Sequence, residues 1–404
     1  MVVFLFFSLS FPLLPWLMGT SQIHINLLFL AFSIGVIFCC HNLKFRASPV
    51  FVLFSYYILF FVIFIITVLV VDQESLSVKN LPNIFRPVFL FLLIFSFYLL
   101  MNNKSRLVVN FNNLIKVMSL IVLVLLFVEI FYPQVSHLLF KSPTKVDIQK
   151  TLTSMYGLPY YSAYVNVIFY SFALPLFLVS KRYIYFIISI IFLVVVFLAQ
   201  SKVGWVVLIL STFILFFMFS NWSTRVFLFI LSLFLTFFFL INIIPIINFL
   251  NENMSGNAIR TLYVMVNDPS ESFTLMERIR QVEVSFLQIV NGYFLLGLGV
   301  EKDIGMHLES WLASYLYRYG LLGVFAWLSF VLVMVYMNLK NFLYFNGVNN
   351  YLAAFSGACF TWALLLPVTQ LSSMMMDIAK TAIISCFMIA LTIKLRDFRL
   401  REKS

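Results

Sequence analysis

Two arginines, Arg278 and Arg280, precede a histidine and a glutamate, His307 and Glu309, in the most polar stretch of a 404-residue chain that is otherwise strongly apolar. A guanidinium is a fixed cation whose planar fork of donors matches carboxylate and phosphate oxygens. An imidazole, with an unperturbed pKa of ~6.5, takes and returns protons near neutrality. A partly desolvated carboxylate is the other common general base. Lys202, in Gln200-Ser201-Lys202, adds a cation from a distant part of the chain. Together these residues offer cations to hold an anion and a base to move a proton. No spacing of His, Cys, Asp or Glu resembles a metal-ligand set.

Each residue also has a plainer reading. Arg278 and Arg280 can anchor a helix at a membrane surface, snorkelling to phosphate headgroups. His307 can donate to a backbone carbonyl, and Glu309 can sit at a helix N-terminus, where the macrodipole favours an acid. Lys202 can serve as a short-loop topology residue. Glu129 is ionisable at membrane depth, which by default makes it a functional candidate. Asp377 and Lys380, one helical turn apart, read as a structural pair.

The elements that must position these side chains are apolar helices. The chain is 63% hydrophobic and only 10% charged, with a mean hydropathy of +1.05. A soluble domain carries about 25% charged residues, and this chain has too little polar surface to cover a body in water. Uncharged runs of ~20 residues, the length needed to cross a hydrocarbon core, recur along it. They predict twelve spans near 2–19, 25–41, 50–71, 86–101, 115–132, 160–180, 184–199, 204–220, 226–250, 319–338, 350–370 and 377–395. Backbone groups in lipid must pair within a segment, so helices are expected, and the alternation of a membrane β-barrel is absent. The expected fold class is all-α: a single polytopic membrane domain over 1–404.

An even number of spans puts both termini on one side. The C-terminal tail carries Lys394, Arg396, Arg399, Arg401 and Lys403, which places it in the cytoplasm by the positive-inside rule. The net charge of +11 is then mainly inner-face charge and calls for anionic lipid rather than nucleic acid. Cys39, Cys40, Cys359 and Cys386 all fall inside expected spans and read as small apolar residues.

Two outer loops are long, near 133–160 and 251–318. Loops beyond ~15 residues in a compact bundle are commonly functional. The second contains a helical pattern near 274–292, with Ile279, Val282, Phe286, Ile289 and Tyr293 on one stripe and Glu277, Arg280, Gln281 and Gln288 opposite. That predicts a helix lying on the outer membrane surface or plugging a cavity between spans. Gly292 is its expected cap. Leu295-Leu296-Gly297-Leu298-Gly299 follows as a turn, then His307-Leu308-Glu309, and Tyr319-Gly320-Leu321-Leu322-Gly323 opens the next span.

Arg278, the mixed helix, Gly297-x-Gly299, the His/Glu element and the Tyr-Gly-x-x-Gly helix start resemble the large periplasmic loop of O-antigen polymerases, the Wzy-type oligosaccharide repeat-unit polymerases related to O-antigen ligases. Gln200-Ser201-Lys202 resembles a Ser-Arg element of that superfamily, with Lys202 where Arg is common. Tyr156-Gly157-Leu158-Pro159 resembles its Gly-x-x-x-Pro element, although no Arg precedes Gly157. The resemblance implies a GT-C-like helical fold in the bacterial cytoplasmic (inner) membrane. It implies metal-independent, cofactor-free transfer of a glycan from an undecaprenyl-diphosphate carrier to the end of another carrier-linked repeat unit. Arg278, Arg280 and Lys202 would hold the diphosphate, and His307 and Glu309 would activate the acceptor hydroxyl. The implied partners are undecaprenyl-diphosphate-linked glycans and membrane lipids, with room for a polysaccharide chain-length regulator. The alternatives are an O-antigen ligase and a lipid-linked oligosaccharide flippase, although the flippase class tends to show internal repeats and none is found here.

Overall fold

A computed structural model describes residues 23–39, 85–101, 103–140, 151–253, 257–290, 294–299, 308–371, 373–376 and 379–403, together with 5, 9, 59, 62, 63 and 65–67. Among them the regular elements are helices, and no strand occurs. In chain order they are α1 (Ile23–Cys39), α2 (Arg86–Leu100), α3 (Lys104–Phe131), α4 (Pro133–Leu139), α5 (Pro159–Ser180), α6 (Tyr183–Leu198), α7 (Lys202–Phe219), α8 (Trp222–Asn253), α9 (Asn257–Asn267), α10 (Phe273–Val290), α11 (Trp311–Phe345), α12 (Asn350–Thr369) and α13 (Ala379–Lys403). Five of these, α3, α5, α7, α11 and α12, are long and apolar enough to cross a membrane. The chain is a helical membrane protein. The expected spans 2–19 and 50–71 lie almost wholly outside the described residues.

Helices replace most of what the sequence left as loop. The span expected at 115 belongs to a helix that starts at Lys104, because Asn103 caps it: its side-chain oxygen accepts from the amides of Ser105 at 3.0 Å and Arg106 at 3.2 Å. Leu107, Phe111, Leu114 and Met118 then bury one stripe beneath a polar outer face. The loop near 133–160 contains α4 and a buried single turn of 3-10 helix, Ser154–Tyr156.

α5 and α12 are the most enclosed of the five long helices, and they pack on each other. Phe111 of α3 joins the layers around them. Its ring meets Phe172 of α5 edge-on at 4.5 Å, Phe355 of α12 edge-on at 5.1 Å, and stacks on Phe387 of α13 at 5.1 Å. Helices in lipid gain from such packing and from hydrogen bonds across helices, the latter worth ~0.6 kcal/mol on average. Here Trp362 of α12 donates to the Tyr164 hydroxyl of α5 at 2.9 Å, and that hydroxyl pairs with Ser385 of α13 at 2.8 Å.

The two ends of the bundle keep separate sets of charges. At one end Lys104 pairs with Glu402, and Tyr98 donates to Asp397. At the other, Glu129, Lys202, Arg278 and Glu309 gather around the starts of α5, α7 and α11. That second end carries the candidate site.

Candidate functional site

The helix expected near 274–292 is α10, Phe273–Val290, and the face it turns inward is largely polar and small. Gln281, Ser285 and Ile289 are its buried residues, whereas Ile279 and Phe286 are 42% and 47% exposed. Of the expected apolar stripe, Ile279 and Phe286 therefore point away from the protein, whereas Ile289 is buried and Val282 packs against the core. The reason lies in the neighbour: α10 packs on α11, and small or amide side chains permit close approach with hydrogen bonds. The bulky residues are left for the membrane surface. The expected cap Gly292 and stripe residue Tyr293 lie outside the described residues.

α11 starts earlier than the Tyr319-Gly320 motif suggests. Ser310 caps it by accepting from the Ala313 amide at 3.3 Å, and Trp311 begins the helix. Gly320 then breaks it, with φ 59 and ψ −158. The break leaves helix groups without their normal partners, and the turn 294–299 takes them. Leu298 N–H donates to the Tyr317 carbonyl at 2.7 Å, while Leu321 and Leu322 donate to Phe294 and Leu295 at 3.2 and 3.3 Å. The two glycine motifs are thus the two halves of one joint.

These two arrangements bring Arg278 of α10 against Glu309, the residue before the α11 cap, as an ion pair. Gln281, one turn along α10, accepts from the Glu309 backbone N–H at 3.1 Å. Lys202, the first residue of α7, donates to the Thr274 hydroxyl at 3.4 Å and lies close enough to Arg278 to feel its charge. Tyr160 and Tyr161 open α5 with their rings edge-on at 4.6 Å. Tyr160 lies in the fields of both Glu309 and Arg278, and Tyr161 in those of Glu309 and Arg86. Tyr160 also lines a small, half-open and largely apolar pocket with Tyr164, Val207, Thr369 and Met375.

Such a cluster combines cations, a carboxylate fixed by a guanidinium and an amide, and an aromatic wall. Chemically it can hold an anionic group and receive a proton beside it. Among the described residues no group of His, Cys, Asp or Glu is placed to hold a metal ion.

Of the residues singled out in the sequence, Arg278, Glu309 and Lys202 come together. Arg280 is exposed, off the docked face of α10. His307 lies outside the described residues, as does Asp377, the expected partner of Lys380. Lys380 instead donates to the Met155 carbonyl at 2.8 Å, and Glu129 accepts from the amides of Thr153 and Ser154. Burial pushes the nearby Tyr156 phenol above its ordinary range. The residues missed from sequence are Gln281, Tyr160, Tyr161 and Arg86. A run of tyrosines where a span begins is the belt-like signal that flags two of them. Compared with known proteins, the chain matches no protein-family model and no curated protein sequence.

Proposed function

We propose that this chain polymerises lipid-diphosphate-linked oligosaccharide repeat units into a bacterial surface polysaccharide. The observation that carries the reading is the Arg278–Glu309 pair, held by Gln281 beside Lys202. In this reading about twelve spans with a GT-C-like arrangement sit in the cytoplasmic membrane with both termini inside, and the site faces outward.

The reaction follows from the groups present. The sugar C1–oxygen bond to the carrier diphosphate breaks, and a bond from C1 to the acceptor hydroxyl oxygen forms. The hydroxyl proton passes to the Glu309 carboxylate, with His307 two residues before it as a second base. The diphosphate leaves with the electron pair, and its growing charge meets Lys202 and Arg278. Preorganised groups of this kind are worth ~10²–10³-fold in rate each, since they need no reorganisation as charge develops. Arg280, exposed on α10, is better suited to lipid headgroups than to the leaving diphosphate.

Replacing Arg278→Ala in the native host tests the assignment. Surface glycan should fall to single repeat units; long chains persisting at normal protein levels would sink it. Complete loss of attached glycan would point instead to a ligase. Carrier-linked units stranded on the cytoplasmic face would point to a flippase.

A further inference from the structure

The segment from Thr151 to Tyr156 enters the bundle as mostly irregular backbone, yet Thr151, Thr153, Ser154, Met155 and Tyr156 are all 4% exposed or less. Buried peptide groups that no helix or sheet satisfies are costly and need partners. Two ionisable side chains supply them from opposite ends of one turn. The Glu129 carboxylate, 2% exposed on α3, accepts from the Thr153 N–H at 3.0 Å and the Ser154 N–H at 2.6 Å. The Lys380 ammonium, on α13, donates to the Met155 carbonyl at 2.8 Å and lies 5.4 Å from the Phe140 ring centroid. An anion at the amino end and a cation at the carboxyl end match the dipole of the turn Ser154–Tyr156.

The chain then turns through Gly157, with φ 73, and Pro159 opens α5. The next residues are Tyr160, close enough to feel both Arg278 and Glu309, and Tyr161, close enough to feel Glu309. We propose that Glu129 and Lys380 are positioning residues: by gripping the turn 153–156 from both ends, they set Tyr160 and Tyr161 against Arg278 and Glu309. The turn is held by α3 and α13, so the site borrows rigidity from two helices that contribute neither Arg278 nor Glu309. The consequence for glycan transfer rests on the function proposed above; the clamp itself does not.

The experiment has a conformational arm and an activity arm. Leu158→Cys is labelled in membranes with an impermeant maleimide, with the parent chain as baseline. Glu129→Gln places an amide N–H₂ where two backbone N–H groups need acceptors, and Lys380→Met removes the donor. Each should raise labelling at position 158 several-fold, and unchanged labelling overturns the clamp. In the activity arm, glycan chain length is compared for Glu129→Gln, Tyr160→Ala and the double variant. Action through Tyr160 makes the double variant no worse than the worse single variant, whereas multiplied losses overturn the positioning role. If either variant fails to reach the membrane, Glu129→Asp and Lys380→Arg provide the same comparison with charge retained. Labelling that rises while Arg278→Ala leaves long chains intact would overturn the polymerase reading and leave the clamp standing.

Discussion

Gly297 and Gly320 meet backbone to backbone across the break in α11. A Cβ added to Gly297 would stand 2.5 Å from the Gly320 nitrogen, and one added to Gly320 would stand 2.6 Å from the Gly297 nitrogen. Both residues also have positive φ, 77 and 59. Each glycine is therefore required twice, once for its conformation and once for the contact. The joint fixes the turn 294–299 to the first half of α11, whose cap directly follows Glu309. Glu309 is held in place from both sides, by this joint and by α10.

Gly320→Ala should therefore destabilise strongly. Its φ and ψ lie in a region that is essentially glycine-only, where another residue costs ~1–3 kcal/mol before any clash is counted. Thermal unfolding of the protein in detergent measures the effect. Gly347→Ala is the control, because nothing lies within 4 Å of its added Cβ and no strained φ is involved. Equal losses of stability in the two variants would contradict the account of the joint.

Gln281 should matter for activity more than for abundance. It is 2% exposed and takes the Glu309 amide. Gln281→Met keeps the volume and strands that amide, at a cost of ~1–3 kcal/mol. If the whole cost falls on the working geometry of Glu309, the rate of polymerisation drops by about tenfold or more. Gln281→Glu should be worse, because it sets a second carboxylate against the first. Chain-length distributions at matched protein levels check both, and a wild-type distribution in Gln281→Met would show that the contact is incidental.

The two arginines of α10 should separate cleanly. Arg278 is half-buried and paired with Glu309, while Arg280 is exposed. Arg280→Ala is expected to leave chain length within about threefold, since exposed cations contribute little. Arg278→Lys should not restore function, because an ammonium lacks the planar fork that engages two oxygens. Surface glycan ladders from the two strains decide the matter, and equal losses would place both arginines in the site.

Much of this architecture was legible in the sequence because lipid imposes a simple rule. Uncharged runs near 160–180 and 350–370 became α5 and α12 almost to the residue. What stayed hidden depended on pairing across long distances. Glu129 reads as an isolated acid until its partners, the amides of Thr153 and Ser154, fold back against it. Lys380 sits near Asp377 in sequence, yet its described hydrogen bond reaches Met155, far away along the chain. Arg278 and Glu309 were both legible as candidates, but not as partners, because their meeting depends on α10 docking against α11. Which face α10 turns inward was open in the sequence for a related reason. Periodicity reports where apolar residues lie, but at a membrane surface it cannot say whether lipid or protein receives them.

That last ambiguity yields a test of its own. Ser285 is fully buried and its hydroxyl donates to the Gln281 carbonyl at 2.7 Å, whereas Leu287 on the outer face is 59% exposed. Ser285→Leu adds methylenes to a closed interface, which typically costs ~1–3 kcal/mol and displaces the backbone. The displacement lifts α10 from α11, so Arg278 withdraws from Glu309 and both stability and chain length should fall. Leu287→Ser should leave folding within ~0.5 kcal/mol, as exposed substitutions usually do, and loosen only the grip of α10 on the bilayer. Limited proteolysis of α10 in membranes reads both effects: Ser285→Leu should be cut faster with detergent or without, Leu287→Ser only where the bilayer is intact. If instead Leu287→Ser alone lowers stability in detergent, α10 presents its outer face to the protein after all, and Gln281 loses its place beside Glu309.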